Sequence, residues 1–179
     1  MKTTQILIAG FGGQGILFSG KFLAYKGLME DIQVSWLPSY GPEMRGGTAN
    51  CNVILSDDPV GSPIITNPDV LIAMNLPSLQ KYVNSVVSGG QIYVDSSLID
   101  ARVERDDVSV FYIPATQLAK ENGIGTLANM IIVGHFLENN PDMSFDGVDN
   151  VVDKLVPPAK ASLKELNMKA LTLGKNYKA

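Results

Sequence analysis

Residues Ile6-Leu-Ile-Ala-Gly-Phe-Gly-Gly-Gln-Gly15 constrain this chain more than any other stretch. A short apolar run leads straight into glycines at 10, 12, 13 and 15, and the chain then takes up helical spacing at Ile16, Leu17, Phe22 and Leu23. Strand, glycine turn and helix in that order open a βαβ unit, in which backbone approaches a phosphate or another chain closely. The same order also serves plain packing of a helix on a strand, so the spacing alone does not choose between the two. A second block, Ser39-Tyr-Gly-Pro-Glu-Met-Arg-Gly-Gly47, follows the next predicted strand. Two such loops at successive strand ends point to one built surface.

The rest of the chain alternates in the same manner. Short runs rich in β-branched residues predict strands at 5–9, 33–37, 49–55, 70–74, 91–95 and 108–113. Apolar residues at helical spacing predict helices at about 13–28, from Pro77 toward Gly89-Gly90, at 117–121, 126–137 and 148–156, and at 159–173 with Gly174 as the stop. The segment 56–68, with three prolines, reads as an irregular connection. Alternating strands and helices predict an α/β, Rossmann-like, mostly parallel sheet with helices on both faces, in one domain covering 1–179. The direction of the strand at 49–55 is not legible.

Charge and cysteine content remove several classes of function. Net charge is −4, with Lys and Arg scattered singly, so there is no basic stripe to neutralise a nucleic-acid backbone. A single cysteine, Cys51, excludes an internal disulfide and a cluster ligated by this chain's cysteines alone. The N-terminus lacks a secretory pattern and the most apolar stretch, 127–137, contains Asn129 and His135, so no membrane span is expected and the compartment reads as cytoplasmic.

Gly10-x-Gly12-x-x-Gly15 invites a dinucleotide reading, which also requires an acid at the end of the second strand to hold the ribose. That strand ends Trp36-Leu-Pro38, and Glu30 and Asp31 precede it, at the wrong end of the sheet. Gly15-x-x-x-x-Gly20-Lys21 fits a P-loop spacing, yet Phe22 stands where a magnesium-binding hydroxyl belongs and Ile16, Leu17 and Phe18 are helical core residues. What remains for Gly10, Gly12, Gly13, Gln14 and Gly15 is tight packing, or helix-start N–H groups facing an anion or a partner's backbone.

In the second block, Gly41-Pro42 and Gly46-Gly47 fix the ends of the loop, while Glu43 and Arg45 place opposite charges in its middle. Either the two brace the loop, or Arg45 uses its planar fork on a carboxylate, a phosphate or a partner's acid. Ser39 and Tyr40 lead into this loop. His135, the only histidine, and Cys51 read as core residues, and Asn129 as a group bonded to backbone or to a neighbouring subunit. Asp95, at a strand end, suits either a ligand or a cap.

The two motifs together, Gly-Phe-Gly-Gly-Gln-Gly at 10–15 and Ser-Tyr-Gly-Pro-Glu-Met-Arg-Gly-Gly at 39–47, resemble the gamma subunit of 2-oxoacid:ferredoxin oxidoreductases. The similarity continues through 50–63, 69–75 and Val94-Asp95. Such a resemblance implies an anaerobic, hetero-oligomeric enzyme that decarboxylates a 2-oxoacid on thiamine diphosphate and magnesium. Electrons then pass through iron–sulfur clusters to ferredoxin, and an acyl-coenzyme A forms. Pyruvate, ketoisovalerate, indolepyruvate and 2-oxoglutarate enzymes share the motifs, and the 2-oxoglutarate type is favoured. Thiamine and clusters are expected on partner subunits, because one cysteine holds no cluster. A diphosphate motif is also missing: Phe145-Asp-Gly147 lacks its first glycine, and Asn139-Asn140 precedes it. The isolated chain is expected to be inactive, with the glycine loops serving subunit contact first and coenzyme A second. The alternative is a self-sufficient Rossmann-type oxidoreductase binding NAD(P) or coenzyme A.

Overall fold

A computed structural model describes residues 3–40 and 48–178. Strands β1 (Thr4–Phe11), β2 (Gln33–Tyr40), β3 (Thr48–Ser56), β4 (Val70–Ala73), β5 (Gln91–Asp95) and β6 (Ser109–Ile113) form one sheet in the order β2-β3-β1-β4-β5-β6. β1, β4, β5 and β6 are parallel to their neighbours in this series. β3 is antiparallel to both β1 and β2, so β2 runs with β1 although a strand separates them. Five of six strands therefore point one way, and the strand at 49–55 is the reversed one.

Both faces of the sheet are covered. Alternate residues of each strand point to opposite sides, which divides the interior into two cores. Ile6, Ile8, Val53, Ile72 and Tyr93 face α1 (Ile16–Met29), α3 (Ala115–Glu121), α4 (Ala128–Glu138), α5 (Val148–Leu155) and α6 (Ala161–Asn176). Leu7, Leu71, Ala73, Ile92 and Val94 face α2 (Leu76–Tyr82) and the segments around Val86 and Ile99. All four residues of β4 are buried, as a strand covered on both sides requires. β2 lies at the border, and Trp36, Leu37 and Tyr40 stay partly exposed.

Helix α4 is buried from Ala128 to Leu137, in keeping with its apolar sequence. It meets α6 where Gly134 lies against the Leu171 backbone and Gly174 against the Ile131 carbonyl. Gly174 was expected to end the last helix. Instead α6 continues to Asn176, and Gly174 lets two helix backbones touch. A glycine inside a helix costs about 1 kcal/mol relative to alanine. The close contact offsets that cost, and local propensity carries no trace of it.

His135 sits beside this crossing, ringed by Tyr93, Phe111 and Tyr177 at centroid distances of 5.6–6.0 Å. Its Nδ1 lies 3.2 Å from the Gly174 carbonyl oxygen. Burial lowers its pKa, partly countered by that carbonyl and by Glu138. A histidine held neutral by burial contributes stability above its unfolded pKa near 6.5, and loses it as pH falls through the depressed folded value. Melting temperature should therefore fall on going from pH 7.5 to pH 5. His135→Gln should flatten that part of the profile, and an unchanged slope would place the titration elsewhere.

A second buried group was not foreseen. Lys26, on α1, is 1% exposed and pairs with Glu30 one turn later.

Candidate functional site at the carboxyl edge of the sheet

The glycine turn takes its shape from two distinct requirements. Gly13 and Gly15 have φ of 95° and 75°, in the left-handed region that a Cβ disfavours. Gly10 is needed for space, since a Cβ there would lie 2.6 Å from Gln14 Oε1 and 3.1 Å from Met74 Cβ. α1 then starts at Ile16 with no side-chain cap. α4 clamps the turn from outside, with Asn129 Nδ2 donating to the Gly15 carbonyl oxygen (3.1 Å) and to Ser19 Oγ (3.0 Å).

Gln14 closes the place where a dinucleotide would approach. α1, which follows β1, packs on one face, and α2, which follows β4, packs on the other. The crevice between β1 and β4 is thus the switch point at which open α/β sheets bind ligands. Gln14 bridges it, its Oε1 accepting from the Phe11 N–H (2.6 Å) and its Nε2 donating to the Met74 carbonyl oxygen (2.9 Å). Glu30 precedes β2 and serves Lys26, not a ribose. The P-loop spacing has no better footing. Gly20 is buried on α1 against Cys51 and Trp36, and Lys21 is exposed, its ammonium 5.8 Å from the Tyr25 ring centroid.

The register brings Tyr40, at the end of β2, to the edge that carries the glycine turn. Tyr40 pairs with Ala49, and Ala49 pairs with Gly10, so the ends of β2 and β1 stand level across β3. Phe11, Gly12, Gly13, Gly15, Phe18 and Tyr40 line a hollow of about 280 Å³. Tyr40 is 57% exposed, and Ser39 beside it is also exposed. Gly41, Pro42, Glu43, Arg45, Gly46 and Gly47 lie outside the described residues.

Two further hollows meet at Gly13. One, of about 230 Å³, lies over Gln14 between Met74, Leu98, Thr116 and Thr126. The other, of about 320 Å³, runs from Gly15 and Phe18 to Asn129, Lys160, Leu163 and Asn167. Sequence reasoning missed this last wall, which comes from residues more than a hundred positions away. Its only local sign is polar Asn129 and Asn167 at core positions, 3% and 4% exposed. Phe11, Tyr40, Leu98 and Leu163, four of the ten exposed large apolar residues among those described, line these hollows.

The titratable residues singled out from the sequence are built into the fold. Asp95 is fully buried and accepts from Ser97 N–H (3.1 Å), Thr116 N–H (3.3 Å) and Thr116 Oγ1 (2.5 Å), which is the capping alternative. Cys51 Sγ donates to the Ile16 carbonyl oxygen at 3.4 Å. Burial pushes this thiol up to about 12, against smaller opposing effects of Trp36 and Gly20. A thiol held protonated in this way does not fit the thiolate that an iron–sulfur cluster needs. Among the described residues no group of three or more His, Cys, Asp or Glu is placed to hold a metal, and no helix is long and apolar enough to cross a membrane.

Comparison with known proteins agrees with this architecture. The pyruvate ferredoxin/flavodoxin oxidoreductase family profile matches residues 5–177. The ketoisovalerate oxidoreductase subunit VorA of Methanothermobacter marburgensis is 37% identical over 164 residues, covering 85% of this chain but 34% of VorA. The chain thus spans about a third of the length of that relative. The 2-oxoglutarate synthase subunit KorC of the same organism is 33% identical over 178 residues, 96% of this chain and 94% of KorC. Among solved structures, the keto/oxoacid ferredoxin oxidoreductase gamma subunit of Geobacter sulfurreducens superposes with a TM-score of 0.84 at 29% identity, covering 98% of this chain and 95% of that one. With almost its whole length matched by the family profile and a six-stranded sheet shared with a gamma subunit, this chain belongs to the pyruvate ferredoxin/flavodoxin oxidoreductase family.

Proposed function

We propose that this chain is the gamma-type subunit of a multi-subunit 2-oxoacid:ferredoxin oxidoreductase, folded as one domain and working in the cytoplasm as a docking element. In this reading the oxidative decarboxylation, the electron transfer to ferredoxin and the formation of acyl-coenzyme A belong to the assembly. Thiamine diphosphate, magnesium and iron–sulfur clusters sit on partner subunits. We favour 2-oxoglutarate as substrate, because the KorC relative corresponds over almost its entire length.

The observation that carries the docking role is the ring of exposed apolar residues around the glycine turn. Subunit contact is therefore the first use of Gly10, Gly12, Gly13, Gln14, Gly15 and the loop from Ser39 to Gly47. A coenzyme A phosphate at the uncapped start of α1 is the second. The self-sufficient NAD(P) alternative is weakened by Gln14, whose two hydrogen bonds close the crevice such a cofactor would need.

Anaerobic affinity purification of the tagged chain from native cells separates the readings. Co-isolation of thiamine- and cluster-binding subunits is expected, with no turnover of 2-oxoacid and viologen dye by the chain alone. A lone chain that binds NAD(P) and turns over substrate would sink the proposal. Arg45→Ala should weaken assembly, or raise the KM for coenzyme A, by about tenfold, in line with the loss of a charge-assisted hydrogen bond. The melting temperature of the free chain should barely move. A complex with normal affinity and full kinetics would reduce Arg45 to a brace for its own loop.

A further inference from the structure

The hydrogen bonds of the sheet fix which backbone groups of β2 face outward. Along a strand, alternate residues turn their N–H and C=O toward opposite neighbours. The Gln5 and Ala9 carbonyl oxygens accept from the Asp69 and Met74 N–H groups, both at 2.9 Å, so this set of β1 residues turns toward β4. Ile6, Ile8 and Gly10 then turn toward β3, where they meet Val53, Cys51 and Ala49. The other residues of β3, Ile54, Asn52 and Asn50, turn toward β2 and meet Ser35, Leu37 and Ser39. Val34, Trp36, Pro38 and Tyr40 are left facing outward, where the sheet has no further strand.

An open strand edge is a template for another strand, and proteins ordinarily blunt it with charge, a bulge, shortness or a cover. β2 has eight residues, none of them charged, and its register with β3 runs unbroken from Gln33–Ser56 to Tyr40–Ala49. Trp36, Leu37 and Tyr40 supply three of the ten exposed large apolar residues among those described. The opposite edge differs. β6 has five residues, and the segment before it reaches across, the Val103 N–H donating to Tyr112 Oη at 2.8 Å. Pro38 alone interrupts the open row of β2, and only as a donor, because its carbonyl remains.

We infer that β2 pairs antiparallel with β2 of a second copy of this chain, about a two-fold axis at Ser35. The inference stands apart from the subunit reading above. A row of outward N–H and C=O groups is matched by another extended strand. With the axis at Ser35, Val34 exchanges both backbone bonds with Trp36 of the second copy, and Trp36 does the same with Val34 of the second copy. A shift of two places sets Pro38 against Val34, or Ile32 against Trp36. Pro38 has no N–H, and Ile32 has given its own to the Gly27 carbonyl oxygen (3.0 Å), so either shift leaves a carbonyl without a donor. The side chains suit the same register. Each Val34 faces a Trp36, an aromatic–β-branched pair that stabilises antiparallel strands. Asp31 comes opposite Ser39 and Glu30 opposite Tyr40, so no like charges meet.

Ser35 faces itself across the axis, which makes it the test. In a pair of this kind the two Cα atoms lie about 4.5 Å apart, within the reach of a disulfide. Ser35→Cys in the full chain should therefore give a disulfide-linked dimer on mild oxidation, since the only other thiol, Cys51, is fully buried. Ser39→Cys, exposed on the same strand but opposite Asp31, should not. In sedimentation equilibrium, Ser35→Lys and Ser35→Glu should each raise the dimer dissociation constant by about tenfold or more, with like charges face to face. Mixing the two variants should restore the dimer, which separates lost pairing from lost folding. An unaltered chain that stays monomeric at every concentration overturns the inference, as does a dimer indifferent to Ser35→Lys or equal cross-linking through Ser39→Cys. A monomeric chain whose Ser35→Lys variant releases a thiamine- or cluster-binding subunit also overturns it, by giving the edge to a different subunit's strand, and leaves the subunit reading standing.

Discussion

Gly174→Ala, and separately Gly134→Ala opposite it, should each destabilise the protein by about 3 kcal/mol or more, the upper end for overpacking a close-fitted core. In a chain of this size that is a fall of roughly 6–12 °C in melting temperature, measurable by calorimetry or as a lower urea midpoint. A Cβ on Gly174 would lie 2.8 Å from the His135 nitrogen and closer still to the Ile131 carbonyl oxygen. One on Gly134 would run into the Leu171 backbone. Main chain on both sides cannot step aside as a flexible side chain can, so α4 and α6 must separate and the core beneath them must open. Gly61→Ala is the control. Nothing lies within 4 Å of a Cβ there, and its effect should stay within about 0.5 kcal/mol. If Gly174→Ala melts with the control, the helices do not cross as described.

Glu30→Ala should come next in size, at about 2–4 kcal/mol. Removing one partner of a buried ion pair leaves the other charge without compensation. Lys26 is the enclosed partner, and Glu30, whose side chain is 29% exposed, sits where water reaches, which keeps the expectation below the figure for a fully enclosed pair. Lys26→Met should behave oppositely. An unbranched apolar side chain of similar length fills the same buried space with no charge to desolvate, so stability should stay level or rise. Urea denaturation of the two single variants and the double variant gives the sign of each change. Equal losses in both single variants would mean that the lysine stem, not its charge, supports α1.

Much of the fold was legible locally. The predicted strand at 91–95 coincides with β5, and the other strands differ by a few residues at their ends. The period-two and helical patterns depend only on near neighbours, which is why they survive in a single chain. What escaped depends on partners distant in sequence. The reversal of β3 comes from a hairpin partner, not from its own residues, which suit either direction. Gly174 has the look of a helix stop until Ile131 is placed against it. Lys26 is an ordinary helical lysine until the fold encloses it. At the candidate site the glycine turn and Tyr40 were found at one edge, as the order of strands and loops suggested. The wall of Asn129, Lys160 and Asn167 was not, because it is assembled from helices that follow the last strand.

The antiparallel strand has one more effect, on reach. Adjacent strands lie about 4.8 Å apart, so inserting β3 sets β2 about 10 Å from β1, where a side-by-side arrangement would keep half that distance. The residue that would embrace a ribose from the tip of the second strand has been moved a full strand's width outward. Even a well-chosen acid at Ser39 would therefore grasp at solvent. Any relative that inherits this hairpin inherits the same span, and in it the glycine signature marks the shape of a turn without promising the nucleotide that usually accompanies it.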